Sequence, residues 1–132
     1  MGVESILILF FVTKHLIFDW WMQTAWMAFN KHKLNHWGGY VHAGVNVLGT
    51  VIAIVMFAVF TGNPLSSDLT LGIYWLLIGG EFVSHFVMDY IKMNVTKWRK
   101  WDMTKDPQFW HWTGFDQWVH VAYLVFMAGI MV

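Results

Sequence analysis

Three histidine–aspartate pairs recur in the sequence, and in each pair the two residues are four positions apart. They are His15–Asp19, His85–Asp89 and Asp116–His120. Residues four apart lie on the same face of a helix, so each pair predicts an imidazole beside a carboxylate. The pairs fall within apolar stretches, and a carboxylate at the centre of a helix in lipid costs roughly 2.5–3.5 kcal/mol. This cost predicts that the pairs meet in one buried polar site.

Imidazole and carboxylate groups together are typical ligands of Zn, Fe, Mn and Ni ions. A further histidine lies early in the second apolar stretch. The predicted metal ligands are therefore His15, Asp19, His42, His85, Asp89, Asp116 and His120. The set exceeds the four ligands of one tetrahedral ion, so it suits either two ions or one ion with hydrogen-bonded outer partners. Zn is the expected ion, with Fe and Mn as alternatives.

Other polar residues lie close to the pairs in sequence. Glu81 is one turn from His85 on the same helix face and is the predicted general base or proton carrier. The amides of Gln23, Asn46 and Gln117 are expected to hydrogen-bond to the ligands. A purely structural alternative stays open, because buried His–Asp pairs can also join helices through hydrogen bonds without any ion.

The composition indicates a membrane protein. Hydrophobic residues make up 58% of the 132 residues and charged residues only 12%, whereas soluble domains have about 45–50% apolar and about 25% charged residues. The formal net charge is zero, so nothing favours nucleic acid as a partner. There is no cysteine, which excludes thiolate metal sites and thiol nucleophiles.

Four apolar stretches are long enough to cross about 30 Å of hydrocarbon. They cover residues 5–30, 37–61, 69–98 and 109–132. The sequence thus predicts an all-α polytopic membrane protein, a single transmembrane domain over residues 1–132 that forms a four-helix transmembrane bundle. Asp68 is expected to cap the third helix, and Pro107 to lie in the first turn of the fourth.

Basic residues lie almost entirely in and beside the first and third loops. The turn between the second and third spans holds no Lys or Arg. The positive-inside rule then places loops one and three in the cytoplasm and both termini outside. Counting about 1.5 Å per residue from these loops places the predicted ligands in the cytoplasmic half of the bilayer. The expected location is the inner membrane of a bacterium, with several passes.

The order of these residues resembles that of a known family. The motif runs from His-x-x-x-Asp-x-x-x-Gln through Ser-His-x-x-x-Asp-Tyr-x-Lys to Asp-Gln-x-x-His. Its residues here are His15, Asp19, Gln23, Trp26, Met27, Asn30, Lys31, His42, Ser84, His85, Asp89, Tyr90, Lys92, Asp116, Gln117 and His120. The chain resembles the small integral membrane proteins of bacteria and phages grouped as domain of unknown function 3307. The resemblance implies a polytopic membrane protein with this polar set, and it implies no activity.

Three functions fit these expectations. The first is a membrane-bound metal-dependent hydrolase that acts on a lipid-linked or interfacial substrate; the chain is similar to such enzymes in size and in its His/Asp-rich helices. The second is a non-catalytic accessory or scaffold subunit, whose His–Asp pairs hold helices together. The third, an ion or proton pathway, is disfavoured because the outer halves of the second and fourth spans carry almost no polar residue. Expected partners are membrane lipid and either further copies of the chain or a larger membrane complex.

Overall fold

The chain folds into helices joined by short connections. The computed structural model describes residues 2–62 and 65–132. In this part of the chain there are five α-helices and one π-helical segment, and no strand. They are α1 (Val3–His15), the π-helical segment (Leu16–Trp21), α2 (Ala25–Asn30), α3 (Trp37–Thr61), α4 (Leu71–Arg99) and α5 (Pro107–Met131). The predicted all-α fold class is confirmed.

Four of these helices form a closed ring. α1 packs against α3 and α5, and α4 packs against the same two helices, while the short α2 lies against α3. The half of the bundle near the chain termini is filled by apolar side chains. Its buried core includes Leu7, Phe11, Phe57, Leu124 and Met127. The other half is filled largely by buried polar residues, which form the site described below.

The first predicted span is not one continuous helix. After His15 the chain winds as a π-helix to Trp21, leaves helical geometry at Gln23 and Thr24, and resumes as α2, where the Thr24 hydroxyl accepts a hydrogen bond from the Met27 amide. The π-helical segment packs closely against α3. A Cβ atom on Gly49 would lie 2.7 Å from the ring of Phe18, so the missing side chain lets this ring press against the α3 backbone.

The remaining helices lie close to their predicted bounds. α3 covers residues 37–61, as expected, and ends at Gly62 in the left-handed conformation (φ 66°). The prediction that Asp68 caps the next helix is wrong, because α4 begins two residues later and Thr70 is the residue before its first turn. Pro107 opens α5 as predicted.

The loop before α5 is held by its own side chains. Asp102 accepts hydrogen bonds from the backbone and hydroxyl of Thr104, and the Asp102 amide donates to Asp106. The hydroxyl and amide of Thr104 hold the pKa of Asp102 below its ordinary value. These hydrogen bonds therefore fix the conformation of the loop that precedes α5.

Two of the helices in the described residues, α3 and α4, are long and apolar enough to cross a membrane. By length and composition, the second and third of the four expected spans could therefore cross a membrane. α1 has 13 residues, about 20 Å at 1.5 Å per residue, and α5 carries several polar residues along its length.

Candidate metal centre

A cluster of histidines and aspartates lies buried where four elements meet. The π-helical segment contributes Asp19, and α3 contributes His42. α4 contributes His85 and Asp89 from adjacent turns, and α5 contributes Asp116 and His120. All six side chains are no more than 5% exposed. The expected buried His/Asp site is therefore present.

Four of these residues direct one atom each toward a common point. His42 Nε2 lies 2.9 Å from Asp19 Oδ1 and 3.1 Å from Asp89 Oδ2. His85 Nε2 lies 3.2 and 3.4 Å from the same two oxygens, and the two Nε2 atoms are 3.1 Å apart. Ligands about 2.0–2.1 Å from a tetrahedral Zn ion lie about 3.3–3.4 Å from each other. The five observed separations lie within about 0.4 Å of this spacing, so the four atoms are close enough together to hold one metal ion.

The two oxygen atoms of this group have no hydrogen-bond partner. Asp19 Oδ1 and Asp89 Oδ2 are buried and accept no hydrogen bond of good geometry, although imidazole nitrogens lie 2.9–3.4 Å away. A buried acceptor without a donor costs about 1–3 kcal/mol, and more when it is charged. A divalent cation would satisfy both oxygens at once. The unpartnered oxygens therefore support a metal site, as the distances between the ligand atoms do.

A second group adjoins the first and shares Asp89 with it. One ligand atom each from Asp89, Asp116 and His120 lie within 4.8 Å of one another. His120 Nε2 is 3.2 Å from Asp116 Oδ1, and both atoms are buried without a hydrogen-bond partner. The His85 and His120 rings stack with centroids 4.1 Å apart, which holds the two groups side by side.

The other oxygen of each carboxylate is held from outside the cluster. Lys31 donates to Asp89 Oδ1 at 2.7 Å, and Lys92 donates to Asp116 Oδ2 at 2.8 Å. The amide of Gln117 donates to Asp19 Oδ2 and Asp116 Oδ2, at 3.3 and 3.1 Å. Each carboxylate thus has one fixed outer oxygen and one free inner oxygen, a pattern that orients ligands around metal ions in proteins.

His15, a predicted ligand, lies outside both groups. Its Nε2 is 2.9 Å from Gln117 Oε1 and 3.7 Å from Asp19 Oδ2. The Trp20 indole donates to the same Gln117 oxygen. Because an amide oxygen only accepts, His15 donates here. Its geometry is that of a residue that fixes the Gln117 amide, which in turn fixes two carboxylates.

Glu81 also lies apart from the two groups. One of its oxygens pairs with Lys14 and accepts from the Thr50 hydroxyl at 2.9 Å, and Lys14 also donates to the Asn46 carbonyl. The other oxygen is buried without a partner. Glu81 borders a void of about 10 Å³ together with His15, His85 and His120, about the size of one water molecule. Its predicted role in proton transfer stays a prediction.

The family of the chain follows from a comparison over nearly its whole length. The model of the family described as "Protein of unknown function (DUF3307)" matches residues 6–132. The chain belongs to this family. No curated protein and no solved structure matches it. The resemblance inferred from the motif is thus confirmed. The description of the DUF3307 family names no function.

Two lysines in this DUF3307 chain have roles that the sequence reading missed. Lys31 belongs to the first predicted loop, yet it is buried and also donates to Gln23. Lys92 lies three residues after Asp89 on α4 but pairs with Asp116, whereas Lys31 pairs with Asp89. The family motif contains both lysines, and it was the one sequence feature that could have indicated a role at the site.

Proposed function

We propose that this DUF3307 protein is a membrane metalloprotein whose Asp19, His42, His85 and Asp89 bind a divalent cation. One observation carries the proposal. The inner oxygens of Asp19, Asp89 and Asp116 are buried and unpartnered beside imidazole nitrogens, while their outer oxygens are tied to lysine and glutamine. Such an arrangement places the free lone pairs where a cation would be bound.

The donor set favours Zn, with Fe and Mn as alternatives, because it combines imidazole nitrogen with carboxylate oxygen and contains no sulfur. The four-residue group would form a closed tetrahedral position. Asp89, Asp116 and His120 would form a second position with three protein ligands, the pattern of catalytic sites that leave one place for water. Asp89 would bridge the two positions.

The surface supports a membrane location with all four long helices inserted. Large apolar side chains are exposed on each of them, among them Leu9 on α1, Val59 on α3, Leu76 on α4 and Phe126 on α5. Lipid would cover these surfaces. α1 continues without interruption into the π-helical segment, which extends the first crossing to Trp21. We place both termini outside the cytoplasm of a bacterial inner membrane, because the basic loops lie at the opposite end.

The activity that fits this centre is hydrolysis of a lipid-linked or interfacial substrate. A bound metal would supply a hydroxide at neutral pH and polarise a phosphoryl or acyl oxygen. The protein would hold the ligands through Lys31, Lys92 and Gln117, and an open cleft beside Asp19 would admit the substrate. Glu81 remains the proposed proton carrier, through the void it shares with the histidines.

Metal analysis of the detergent-purified protein tests the proposal. Wild type from metal-replete cells should retain at least one Zn, Fe or Mn ion per chain by elemental analysis. Asp89→Asn should lose all of it, because Asp89 belongs to both groups, whereas Asp116→Asn should keep the ion of the four-residue position. Asp68→Asn, at an exposed aspartate far from the site, is the matched control. Metal-free wild type would refute the proposal.

A scaffold function has one specific observation in its favour. The buried Lys14–Glu81 pair joins α1 to α4, and its hydrogen bonds to Asn46 and Thr50 add α3. This cluster holds three helices together without needing an ion. A scaffold subunit would be purified without metal, tolerate Asp19→Asn and Asp116→Asn, and co-purify with a partner in stoichiometric amount.

A further inference from the structure

A cleft of about 230 Å³ opens beside the metal-ligand cluster. Its inner wall carries Asp19, Gln117 and the two lysines of the site, and aromatic side chains surround its mouth. The lining residues include Lys31, Lys92, Trp20, Phe109 and Trp110. Of the six residues of the centre only Asp19 lines the cleft, so the cleft reaches the edge of the centre from the protein surface.

The two lysines have hydrogen-bonding capacity left over. Lys31 donates to Asp89 and Gln23, and Lys92 donates to Asp116. An ammonium group has three N–H donors, so one N–H on Lys31 and two on Lys92 remain for another acceptor. Both lysines line the cleft, so the group that completes their hydrogen bonds would lie in it.

The charge of the centre specifies when such an acceptor can bind. Three carboxylates face two lysines, so the metal-free cluster carries one negative charge when its histidines are neutral and no net charge when one of them is protonated. In neither state does its net charge attract an anion. With neutral histidines one divalent cation changes the net charge to plus one, and two change it to plus three. The cluster therefore attracts an anionic ligand only after a metal ion has bound.

We propose that the cleft binds the phosphate group of an anionic amphiphile, and does so only in the metal-loaded protein. The inference rests on the metal centre proposed above. Phosphate has several acceptor oxygens, which can receive N–H groups from both lysines. Trp20 and Trp110 are exposed at the mouth by 53% and 58%, and exposed indoles are typical of the membrane interface, where an apolar tail would lie beside them.

The experiment uses the full chain in detergent. The protein is stripped of metal with a chelator, reloaded with Zn, freed of excess ion, and its metal content is measured first. Calorimetry then follows the binding of inorganic phosphate, of phosphatidic acid in mixed micelles, and of phosphatidylcholine in the same micelles. Inorganic phosphate should bind to the Zn-loaded protein and not to the metal-free protein. Tighter binding of phosphatidic acid than of inorganic phosphate and of phosphatidylcholine supports an anionic amphiphile. Equal binding of phosphatidic acid and inorganic phosphate overturns the amphiphile and leaves a free phosphate as the ligand.

Variants separate the cleft from the metal centre. Lys92→Gln should weaken phosphate binding about tenfold or more, because a charge-assisted hydrogen bond is lost. Because Lys92 also holds Asp116, the Zn content of the variant is measured first, and its phosphate binding is compared with that of wild type at equal Zn content. Trp110→Ala should weaken phosphatidic acid and leave inorganic phosphate unchanged. Lys105→Gln, at an exposed lysine outside the cleft lining, is the control and should bind like wild type.

Each failure has a distinct meaning. A Zn-loaded protein that does not bind phosphate, or a Lys92→Gln variant that binds it as well as wild type, overturns the inference and leaves the metal centre intact. Phosphate binding that is equally strong without metal also overturns it. A chain that does not retain Zn refutes the metal centre, and with it the metal-dependent cleft.

Discussion

Replacement of Lys31 by methionine should destabilise the metal-free protein more than the metal-bound protein. Lys31 and Asp89 form a buried ion pair at 2.7 Å, with side chains only 8% and 4% exposed. At this distance the attraction is about 6 kcal/mol for an effective dielectric constant near 20, and the desolvation of both charges offsets much of it. Methionine has nearly the same length but no charge. Asp89 would then be a buried carboxylate without its lysine.

Loss of one partner of a buried ion pair typically costs about 3–5 kcal/mol. We expect Lys31→Met to lower the free energy of unfolding by this amount when a chelator is present. In the metal-bound protein the cation lies against Asp89 Oδ2 and compensates the same charge, so the loss should be clearly smaller. By the thermodynamic cycle, metal should bind to the variant more tightly than to wild type by the difference between the two losses.

Unfolding in detergent, followed with chelator and with Zn in excess, measures both quantities. Zn should raise the unfolding midpoint of Lys31→Met more than that of wild type. The double variant Lys31→Met/Asp89→Asn removes both charges, so it should recover part of the chelator-state stability and show no response to Zn. Lys33→Met, at an exposed lysine two residues away, should behave like wild type. An equal Zn response in wild type and Lys31→Met would refute the reasoning.

Three further changes test the neighbourhood of the centre. Gln117→Leu removes the amide that fixes two carboxylates and should weaken Zn binding about 10–100-fold in a competition titration; unchanged affinity would contradict that role. Glu81→Gln should keep the metal content of wild type while lowering stability by about 3–5 kcal/mol, because Lys14 is left buried and unpaired; loss of metal would instead make Glu81 a ligand. Gly49→Ala should destabilise the fold by about 1–3 kcal/mol, since its Cβ would meet the Phe18 ring at 2.7 Å, and calorimetric or chemical unfolding would show no change if that contact relaxes freely.

The helices follow from local sequence patterns to different degrees. The bounds of α3 were predictable because its apolar run starts after a polar loop and ends at a glycine with positive φ. The π-helical segment was not, since nothing in the composition of Leu16–Trp21 distinguishes it from a regular helix. Its Phe18 ring packs against Gly49, and a contact between residues so far apart in sequence leaves no local pattern.

The residues of the site were more predictable from the sequence than the contacts between them. Depth counting along each helix indicated that Asp19, His42 and Asp89 would meet, and the structure brings their ligand atoms together. Depth counting could not indicate that His15 contacts Gln117. The π-helical segment begins directly after His15 and changes the angle between the side chains of His15 and Asp19. The partners of buried charges, such as Lys31 and Asp89, are 58 residues apart and leave no local pattern.

The protons available on the two imidazole nitrogens help to distinguish a metal centre from a network of hydrogen bonds between helices. His42 Nε2 and His85 Nε2 are 3.1 Å apart. If both carried protons, each N–H could reach one of Asp19 Oδ1 and Asp89 Oδ2, but two N–H donors would lie 3.1 Å apart. If one carried none, the two oxygens would have a single N–H between them. A hydrogen-bonded network thus leaves either two crowded donors or one oxygen without a donor. One cation at the common point satisfies all four atoms without any proton, which is why the unpartnered oxygens of this cluster favour a metal ion over a structural network.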